Sequence, residues 1–379
     1  MNTASDNPAM RSREAADKLA LLREILDQTG AGAIRLRDPG WFAWATAGGQ
    51  PALLPAGDTG AAEVLVTRED AVILTDEIEA ERLRQEQVPD GFTFHIAPWA
   101  EVELRETHVL GAAGGGGNGA VLSDRPNHVD QPLPASLRLR RMVLNEHEQA
   151  RYRALGADAA AAMSEVLHAA QPGWTEFELA AAAAHALWAR GIQPAGVLAA
   201  GERRLPLFRH PAPSHERLGA RASLSFSARR HGLHANLTRS VSFGALPDEH
   251  RAGQAALLQV EATGLDAVRP GNSLAAVYHA LEAAYRHANL PDAIRAHHQG
   301  GITGYAAREI VASPVTATGL ETGMALAFNP GFNGIRIEDT FLLGPAGLDN
   351  LTLDPQWPAT EIQGIDSAPR RRPLWLEKP

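Results

Sequence analysis

The sequence contains no cysteine. This excludes disulfide bonds, cysteine nucleophiles, iron–sulfur clusters and zinc sites built from thiolates. Lysine is almost as rare, because only Lys18 and Lys378 occur and 33 of the 35 basic residues are arginine. Both lysines lie near the ends of the chain, so we expect neither a phosphate-binding-loop lysine nor an internal Schiff-base lysine.

Long apolar segments are also missing. Residues 1–26 are polar and then amphipathic, without the apolar centre of a signal peptide, and the most apolar stretch, residues 179–189, is too short to cross a bilayer. The formal net charge is -9, which argues against a dedicated nucleic-acid-binding protein. We therefore expect a cytoplasmic protein that binds neither membranes nor nucleic acid.

The composition is that of a globular protein, with 45% hydrophobic and 21% charged residues in a chain of 379. Up to about residue 140, strand-like and helix-like segments alternate, which predicts an α/β domain over residues 1–140. In this part we interpret residues 41–49 as a strand. The glycine-rich residues 111–119 lack the Gly-Lys-Ser/Thr of a phosphate-binding loop and favour a flexible loop.

The second part of the chain has a different order of elements. A long alanine-rich helix is followed by another that Thr175 and Glu178 open as a capping box. Strand-like segments, two helices at roughly 248–268 and 274–288, and returning strands come next. This order predicts an α+β domain over residues 143–355, and residues 356–379 form a C-terminal tail.

Four segments of the second part carry a family resemblance. They are Gly-Trp-Thr-Glu at residues 173–176, HGLHANLTRSVSFG at 231–244, ETGMALAFNPGF at 321–332 and GIRIEDTFLL at 334–343. In this order they resemble the family of methionine aminopeptidase, aminopeptidase P, prolidase and creatinase. The resemblance covers about residues 143–345 and implies a pita-bread domain preceded by a smaller creatinase-like α/β domain. Members with this layout are commonly homodimers, so we expect a homodimer.

The resemblance also implies where active members hold two metal ions, through two aspartates, a histidine and two glutamates. The residues at those positions here are Ser225, Asn236, Gly301, Asn329 and Glu338. A shift of register could return an imidazole, because His298 lies three residues before Gly301. It could not return the aspartates, because residues 222–240 contain no acidic side chain. We therefore expect no metal ion and no cofactor.

Three residues are candidates for catalytic roles. The resemblance to creatinase implies that His210, which precedes Pro211, is a general acid and base; the alternative is an inherited pocket-lining residue. His297 matches a substrate-binding histidine, or else belongs to a solvated histidine pair. Glu338 could orient an imidazole or bind a guanidinium or amine, or else pair with Arg336 or another arginine.

Further residues are expected to line the substrate pocket. They are Ser225, Asn236, His298, Arg308, Asn329 and Arg336. Arg308 stands where the family has a catalytic histidine; arginine stays protonated, so it cannot act as a base but can bind a carboxylate.

These residues leave three hypotheses for function. The first is metal-independent binding, and possible hydrolysis, of a small amide, amidino or dipeptide-like compound, so that the partner is a small molecule or short peptide. The second is a non-catalytic pseudopeptidase that acts as a binding or interaction module. The third is an atypical X-Pro metallopeptidase.

Overall fold

The computed structural model describes residues 7–52, 60–365 and 367–379. The chain divides into two compact units. One comprises the residues up to Arg141 with Glu146–Arg151 and His231–Leu233, and the other comprises Met142–Asn145, Tyr152–Arg230 and His234–Pro379. Among the described residues, no helix is both long and apolar enough to cross a membrane.

The first unit is built around a mixed sheet of six strands. Its strands are β1 (Ala33–Leu36), β2 (Glu63–Val66), β3 (Ala71–Asp76), β4 (Thr93–Ala97), β5 (Val121–Ser123) and β6 (Gln131–Pro132). The α-helices described before residue 143 are α1 (Pro8–Thr29), α2 (Pro39–Ala45), α3 (Ala80–Arg82), α4 (Val102–Gly114) and α5 (Ala135–Met142), and a short π-helix, Leu83–Gln87, follows α3. The strand order is β4-β3-β2-β1-β5-β6, and apolar residues of the sheet pack against Val109 and Ala113 of α4.

One prediction for this unit is wrong, and a second is wrong in part. The segment interpreted as a strand forms helix α2, because the Asp38 side chain accepts hydrogen bonds from the backbone N–H groups of Gly40 and Trp41, and Pro39 occupies the first turn. The expected glycine loop, residues 111–119, is helical as far as Gly114, where helix α4 ends, and consists of turns and bends from residue 115 to residue 119.

A buried charge cluster lies in the same unit. Lys18 is only 5% exposed, and its Nζ lies 2.7 Å from carboxylate oxygens of both Glu14 and Glu148. Arg151 binds both oxygens of Glu14, at 2.7 and 2.8 Å. These charges are compensated and hydrogen-bonded, as burial requires.

The second unit contains two larger sheets. The α-helices described after residue 143 are α6 (Glu146–Ala169), α7 (Glu176–Trp188), α8 (Asp248–Asp266) and α9 (Leu274–His287), and a short 3-10 helix, Ala293–Arg295, follows α9. The strands up to residue 328 are β7 (Gln193–Gly201), β8 (Arg221–Arg230), β9 (Leu233–Phe243), β10 (Gly300–Thr303), β11 (Ile310–Val311) and β12 (Ala325–Phe328). The later strands are β13 (Gly331–Phe332), β14 (Ile335–Arg336), β15 (Asp339–Gly344), β16 (Gly347–Asn350), β17 (Ala359–Ile362), β18 (Arg370–Pro373) and β19 (Leu376–Lys378).

The strand orders of the two sheets explain how distant segments meet. One sheet has the order β19-β9-β8-β7, and the other has the order β11-β10-β12-β15-β16. Apolar residues of α8, α9 and the five-stranded sheet form the main core, including Leu257, Leu281, Ile302, Leu326 and Phe341. An isolated bridge between Thr238 on β9 and Glu338 before β15 joins the segments that carry the candidate site.

The predicted helix positions and the predicted capping box of the second unit are confirmed. Thr175 and Glu178 form the predicted capping box at the start of α7, and helices α8 and α9 lie where they were expected. Residues of the C-terminal segment take part in the fold, since β17 and β18 form a hairpin and β19 pairs in parallel with β9.

Candidate functional site

The nine candidate residues line two cavities of the second unit. A cavity of about 280 Å³ is lined by eight of them: His210, Ser225, Asn236, His298, Arg308, Asn329, Arg336 and Glu338. His297 lines another cavity, which shares Ser225, Asn329 and Arg336 with the first. The structure therefore brings all of the predicted site residues together.

The backbone on both sides of His210 is anchored. Nη1 of Arg336 donates a hydrogen bond of 3.0 Å to the carbonyl oxygen of Arg209. The N–H of Ala199, on β7, donates a hydrogen bond of 3.2 Å to the carbonyl oxygen of Pro211. These two contacts hold the His210 loop over the cavity.

The backbone of the adjacent His297–His298 pair is fixed through Gln299, whose side chain is fully buried. Nε2 of Gln299 donates to the carbonyl oxygen of His297 at 2.6 Å. Oε1 of Gln299 accepts a hydrogen bond of 2.9 Å from the Tyr285 hydroxyl, which itself accepts one from the N–H of Gly331. Helix α9 therefore positions both histidines through Tyr285.

The three imidazoles form one cluster. Nε2 of His210 and Nε2 of His297 are 2.9 Å apart, and the rings of His297 and His298 stack with centroids 4.3 Å apart. Nη2 of Arg336 lies 3.4 Å from Nε2 of His297. Because a guanidinium only donates hydrogen bonds, this contact favours the tautomer in which Nε2 of His297 accepts. Nε2 of His210 then carries the shared proton, which leaves Nδ1 of His210 with a free lone pair.

The surroundings favour neutral imidazoles. Burial, followed by the charge of Arg336, lowers the pKa of His297 to about 3. Burial, followed by the charge of Arg308, lowers the pKa of His298 to about 4. The pKa of His210 is also lowered, first by burial and then by Arg336, although Glu338 opposes this shift.

Both oxygens of Glu338 are already bonded within the protein. Nη2 of Arg308 donates to one oxygen at 2.6 Å, and the Thr238 hydroxyl donates to the other at 2.8 Å. The Ser225 hydroxyl lies 2.7 Å from that of Thr238, so it donates in turn to Thr238. Burial raises the pKa of Glu338, but the charges of Arg308 and Arg336 outweigh it and leave the pKa lowered.

Several polar groups of the site have no partner within the described part of the chain. Oδ1 of Asn329 and Nε of Arg308 are buried without a hydrogen bond there. Arg336 makes no ion pair with a described residue; it contacts the Arg209 carbonyl and His297. A buried polar group without a partner is costly, so these atoms are suited to bind a ligand that carries both an anion and an N–H donor.

The five positions implied by the resemblance do not fit a pair of metal ions in this structure. Their one carboxylate, Glu338, is engaged by Arg308 and Thr238. A side chain at Gly301 would place its Cβ 2.1 Å from the carbonyl oxygen of Ile310, so the backbone excludes a histidine there. Nδ2 of Asn236 donates to the Thr303 hydroxyl at 3.2 Å and is directed to a protein group.

Sequence reasoning missed the residues that support the cluster. Thr238 stands in the Leu-Thr-Arg motif that set the register, and Gln299 lies between the histidine pair and β10, so both had a positional signal. Tyr285 had no such signal, because it lies in the last turn of an amphipathic helix and reaches the site only through tertiary packing.

A second polar pair, half-buried, lies next to this cavity. The Ser227 hydroxyl, which lines the cavity, lies 3.2 Å from Nδ1 of His234. Burial, followed by the charges of Arg229 and Arg308, lowers the pKa of His234 to about 3. Such an imidazole is a weak base, so it does not activate Ser227 as a nucleophile.

Comparison with known proteins agrees with this architecture. A sequence profile of metallopeptidase family M24 matches residues 150–345. The curated protein named uncharacterized hydrolase/peptidase y4tM, from Sinorhizobium fredii (strain NBRC 101917 / NGR234), is 28% identical over 238 residues, which cover 57% of this chain and 59% of that protein. The match thus spans about three fifths of the relative's length.

Solved structures match nearly the whole chain. The Xaa-Pro dipeptidase from Bacillus anthracis has a TM-score of 0.76 at 17% identity, over 96% of this chain and all of that one. The prolidase from Pyrococcus horikoshii OT3 has a TM-score of 0.75 at 18% identity, over 89% of this chain and 98% of that one. These likenesses confirm the expected fold, a pita-bread domain preceded by a smaller α/β domain. Since the profile matches more than half of the sequence, the chain belongs to metallopeptidase family M24, the family of peptidases and creatinase that its four motifs resemble.

Proposed function

We propose that this protein binds and hydrolyses a small compound that carries a carboxylate and an amide or amidino group, without the dinuclear metal centre of the family. Three groups around one pair of cavities carry the proposal. They are an imidazole whose pKa is lowered, an arginine that makes no ion pair with a described residue, and a buried acceptor to which no described group donates. These are His210, Arg336 and Asn329.

The ligand's carboxylate binds Arg336 in this proposal. The guanidinium makes no ion pair with a described residue, and its fork of N–H groups matches the two oxygens of a carboxylate. Oδ1 of Asn329 accepts an N–H of the amide or amidino group. The modest cavity, of about 280 Å³, suits a small molecule or a dipeptide better than a long peptide.

In the proposed reaction, His210 acts as the general base and then as the general acid. Its lowered pKa keeps the imidazole neutral at neutral pH, so Nδ1 can take a proton from water as the water oxygen attacks the carbonyl or amidino carbon. The same imidazole then gives that proton to the leaving nitrogen as the carbon–nitrogen bond breaks. Arg308 and Arg336 supply positive charge near the atom on which negative charge develops.

The donor set supports a reaction that does not use two metal ions. One carboxylate, already held by an arginine and a threonine, cannot replace the oxygen donors that two ions need. For the same reason, the third hypothesis, an atypical X-Pro metallopeptidase, is the least supported.

Binding without catalysis is the second candidate, and the Glu338 network favours it. Because both oxygens of Glu338 are engaged by Arg308 and Thr238, the described residues that line this cavity leave no carboxylate to orient His210 or a water molecule. A pseudopeptidase of this kind would bind the same carboxylate ligands and leave them intact.

A panel of N-acyl and N-amidino amino acids tests both candidates. We expect some of them to stabilise the full chain against thermal unfolding and to be hydrolysed in the presence of a chelator, with the amine product measured by mass spectrometry. His210→Asn should lower the rate by about 10²–10⁴-fold, and Arg336→Gln should mainly raise KM.

The control is His287→Asn, which changes an exposed histidine at the end of α9. Stabilisation without product would support the binding module. An unchanged rate in His210→Asn, or activity abolished by the chelator, would contradict the proposed mechanism.

A further inference from the structure

We propose that His210, His297 and His298 form a mononuclear site for a borderline transition-metal ion such as Zn²⁺ or Cu²⁺, separate from the five positions of the family's dinuclear centre. Each of these residues offers one ring nitrogen, and the three nitrogens lie within 4.8 Å of one another. Among the described residues, this is the one group of three or more histidine, aspartate or glutamate side chains close enough to share an ion.

The ring nitrogens of His210 and His297 are already about as close together as two ligands of one metal ion. Two ring nitrogens 2.9 Å apart can be this close because one proton lies between their lone pairs. A metal ion can take the place of that proton. Tetrahedral ligands about 2.0–2.1 Å from zinc are roughly 3.4 Å apart, so the rings need to shift by only about an ångström.

The hydrogen bonds that hold the backbone around these histidines suit residues that bind a metal ion. The His297 backbone is held by buried Gln299, and both neighbours of His210 are anchored by hydrogen bonds. His210 and His298 are exposed to the cavity, which gives an ion an entry path. Three imidazole nitrogens favour Zn²⁺, Cu²⁺ or Ni²⁺ over Mg²⁺, Ca²⁺ and Mn²⁺, which prefer oxygen donors.

The charges near the cluster set the strength of the site. Arg336 and Arg308 repel a cation, and Glu338 compensates only one of them. We therefore expect moderate affinity and an open fourth position that prefers an anion. Replacing Arg308 by glutamine removes one positive charge and should tighten metal binding.

A bound ion also affects catalysis, a consequence that rests on the proposed function. It occupies a lone pair of His210, so the metal-loaded protein lacks its acid and base, and zinc inhibits hydrolysis reversibly. Metal binding itself needs neither substrate nor turnover, so the site can be tested even if the proposed function fails.

Calorimetric titration of the chelator-treated full chain with Zn²⁺, and absorption spectra with Co²⁺, measure the site directly. We expect one equivalent per chain and the intense visible bands of a nitrogen-bound Co²⁺ with low coordination number. His298→Asn and His297→Asn should each weaken binding by roughly 100-fold or more, since even a lost supporting contact costs 10–100-fold.

A matched control is available in the first unit, where the rings of His95 and His108 stack 3.9 Å apart. His95→Asn should leave the stoichiometry and the spectrum unchanged. The proposal is overturned if no metal binds, if binding is lost in His95→Asn but kept in His298→Asn, or if Arg308→Gln binds more weakly than the parent. Circular dichroism confirms that each variant is folded; these histidines lie at the cavity surface, so we expect no loss of fold.

Discussion

His234 couples the cavity to the pH dependence of stability. The imidazole is partly enclosed, its Nδ1 lies 3.2 Å from the Ser227 hydroxyl, and burial lowers its pKa from 6.5 to about 3. The unfolded chain therefore binds one more proton than the folded chain between about pH 3 and 6.5. Stability contributed by neutral His234 is complete above pH 6.5 and is lost as the pH falls through this window.

We expect His234→Gln to flatten the dependence of unfolding free energy on pH. One such group changes the free energy of unfolding by at most about 1.4 kcal/mol per pH unit within this window. Urea unfolding at several pH values between 4 and 7 measures it. His287→Gln, at an exposed position, should retain the parent slope; identical slopes in all three proteins would mean that His234 does not titrate as described.

At the scale of one strand, β10 depends on glycine at position 301. Gly301 has φ +157°, and an added Cβ would lie 2.1 Å from the Ile310 carbonyl oxygen on β11. Backbone oxygen cannot move aside as a side chain can. We expect Gly301→Ala to lower the free energy of unfolding by roughly 3 kcal/mol.

Gly304, three residues later, is the matched control. Its nearest neighbour to an added Cβ is a Glu309 carboxylate oxygen at 3.7 Å, an ordinary contact. Gly304→Ala should leave stability unchanged or raise it by up to about 1 kcal/mol. Thermal unfolding compares the two variants, and equal effects would contradict the close approach of β10 to β11.

Helix α9 supports the histidine pair through one hydroxyl group. Tyr285→Phe leaves the Gly331 N–H and the Gln299 side-chain oxygen without their partner, which costs about 1–3 kcal/mol. The cluster should loosen as well, so metal binding and catalysis should weaken along with stability. Tyr278→Phe on the same helix is the control, because its hydroxyl makes no hydrogen bond to the described residues; a similar loss there would argue against the Tyr285 link.

The elements differ in how far sequence alone could predict them. Helices α7, α8 and α9 were predicted from their spacing of apolar residues, and for α7 the capping box of Thr175 and Glu178 also fixed the first residue. Helix α2 was missed because its aromatic residues fit a strand equally well, and its cap at Asp38 was overlooked. Motif order placed the nine site residues at one site, but the contacts that engage Glu338 and leave Asn329 open depend on tertiary packing.

At the scale of the whole molecule, the homodimer expected from the resemblance stays a prediction. Light scattering on protein eluted from a size-exclusion column measures the molar mass directly. We expect a mass of twice the 40.4 kDa of one chain. A monomeric mass at micromolar concentration would contradict the expectation, and it would also exclude a site completed by a second copy.

Because lysine is so scarce, cleavage by a lysine-specific protease can be used to follow the unfolding of this protein. A lysine-specific protease has two possible targets, and the bond after Lys378 resists cleavage because Pro379 follows. The remaining target, Lys18, is 5% exposed and held by Glu14 and Glu148. We expect the native chain to resist the protease and the denatured chain to give only fragments 1–18 and 19–379. Because cleavage follows the opened population, the intensity of one band on a gel then measures the fraction of chains in which Lys18 has become accessible, by opening of helix α1 or by global unfolding, without dye, tag or mutation.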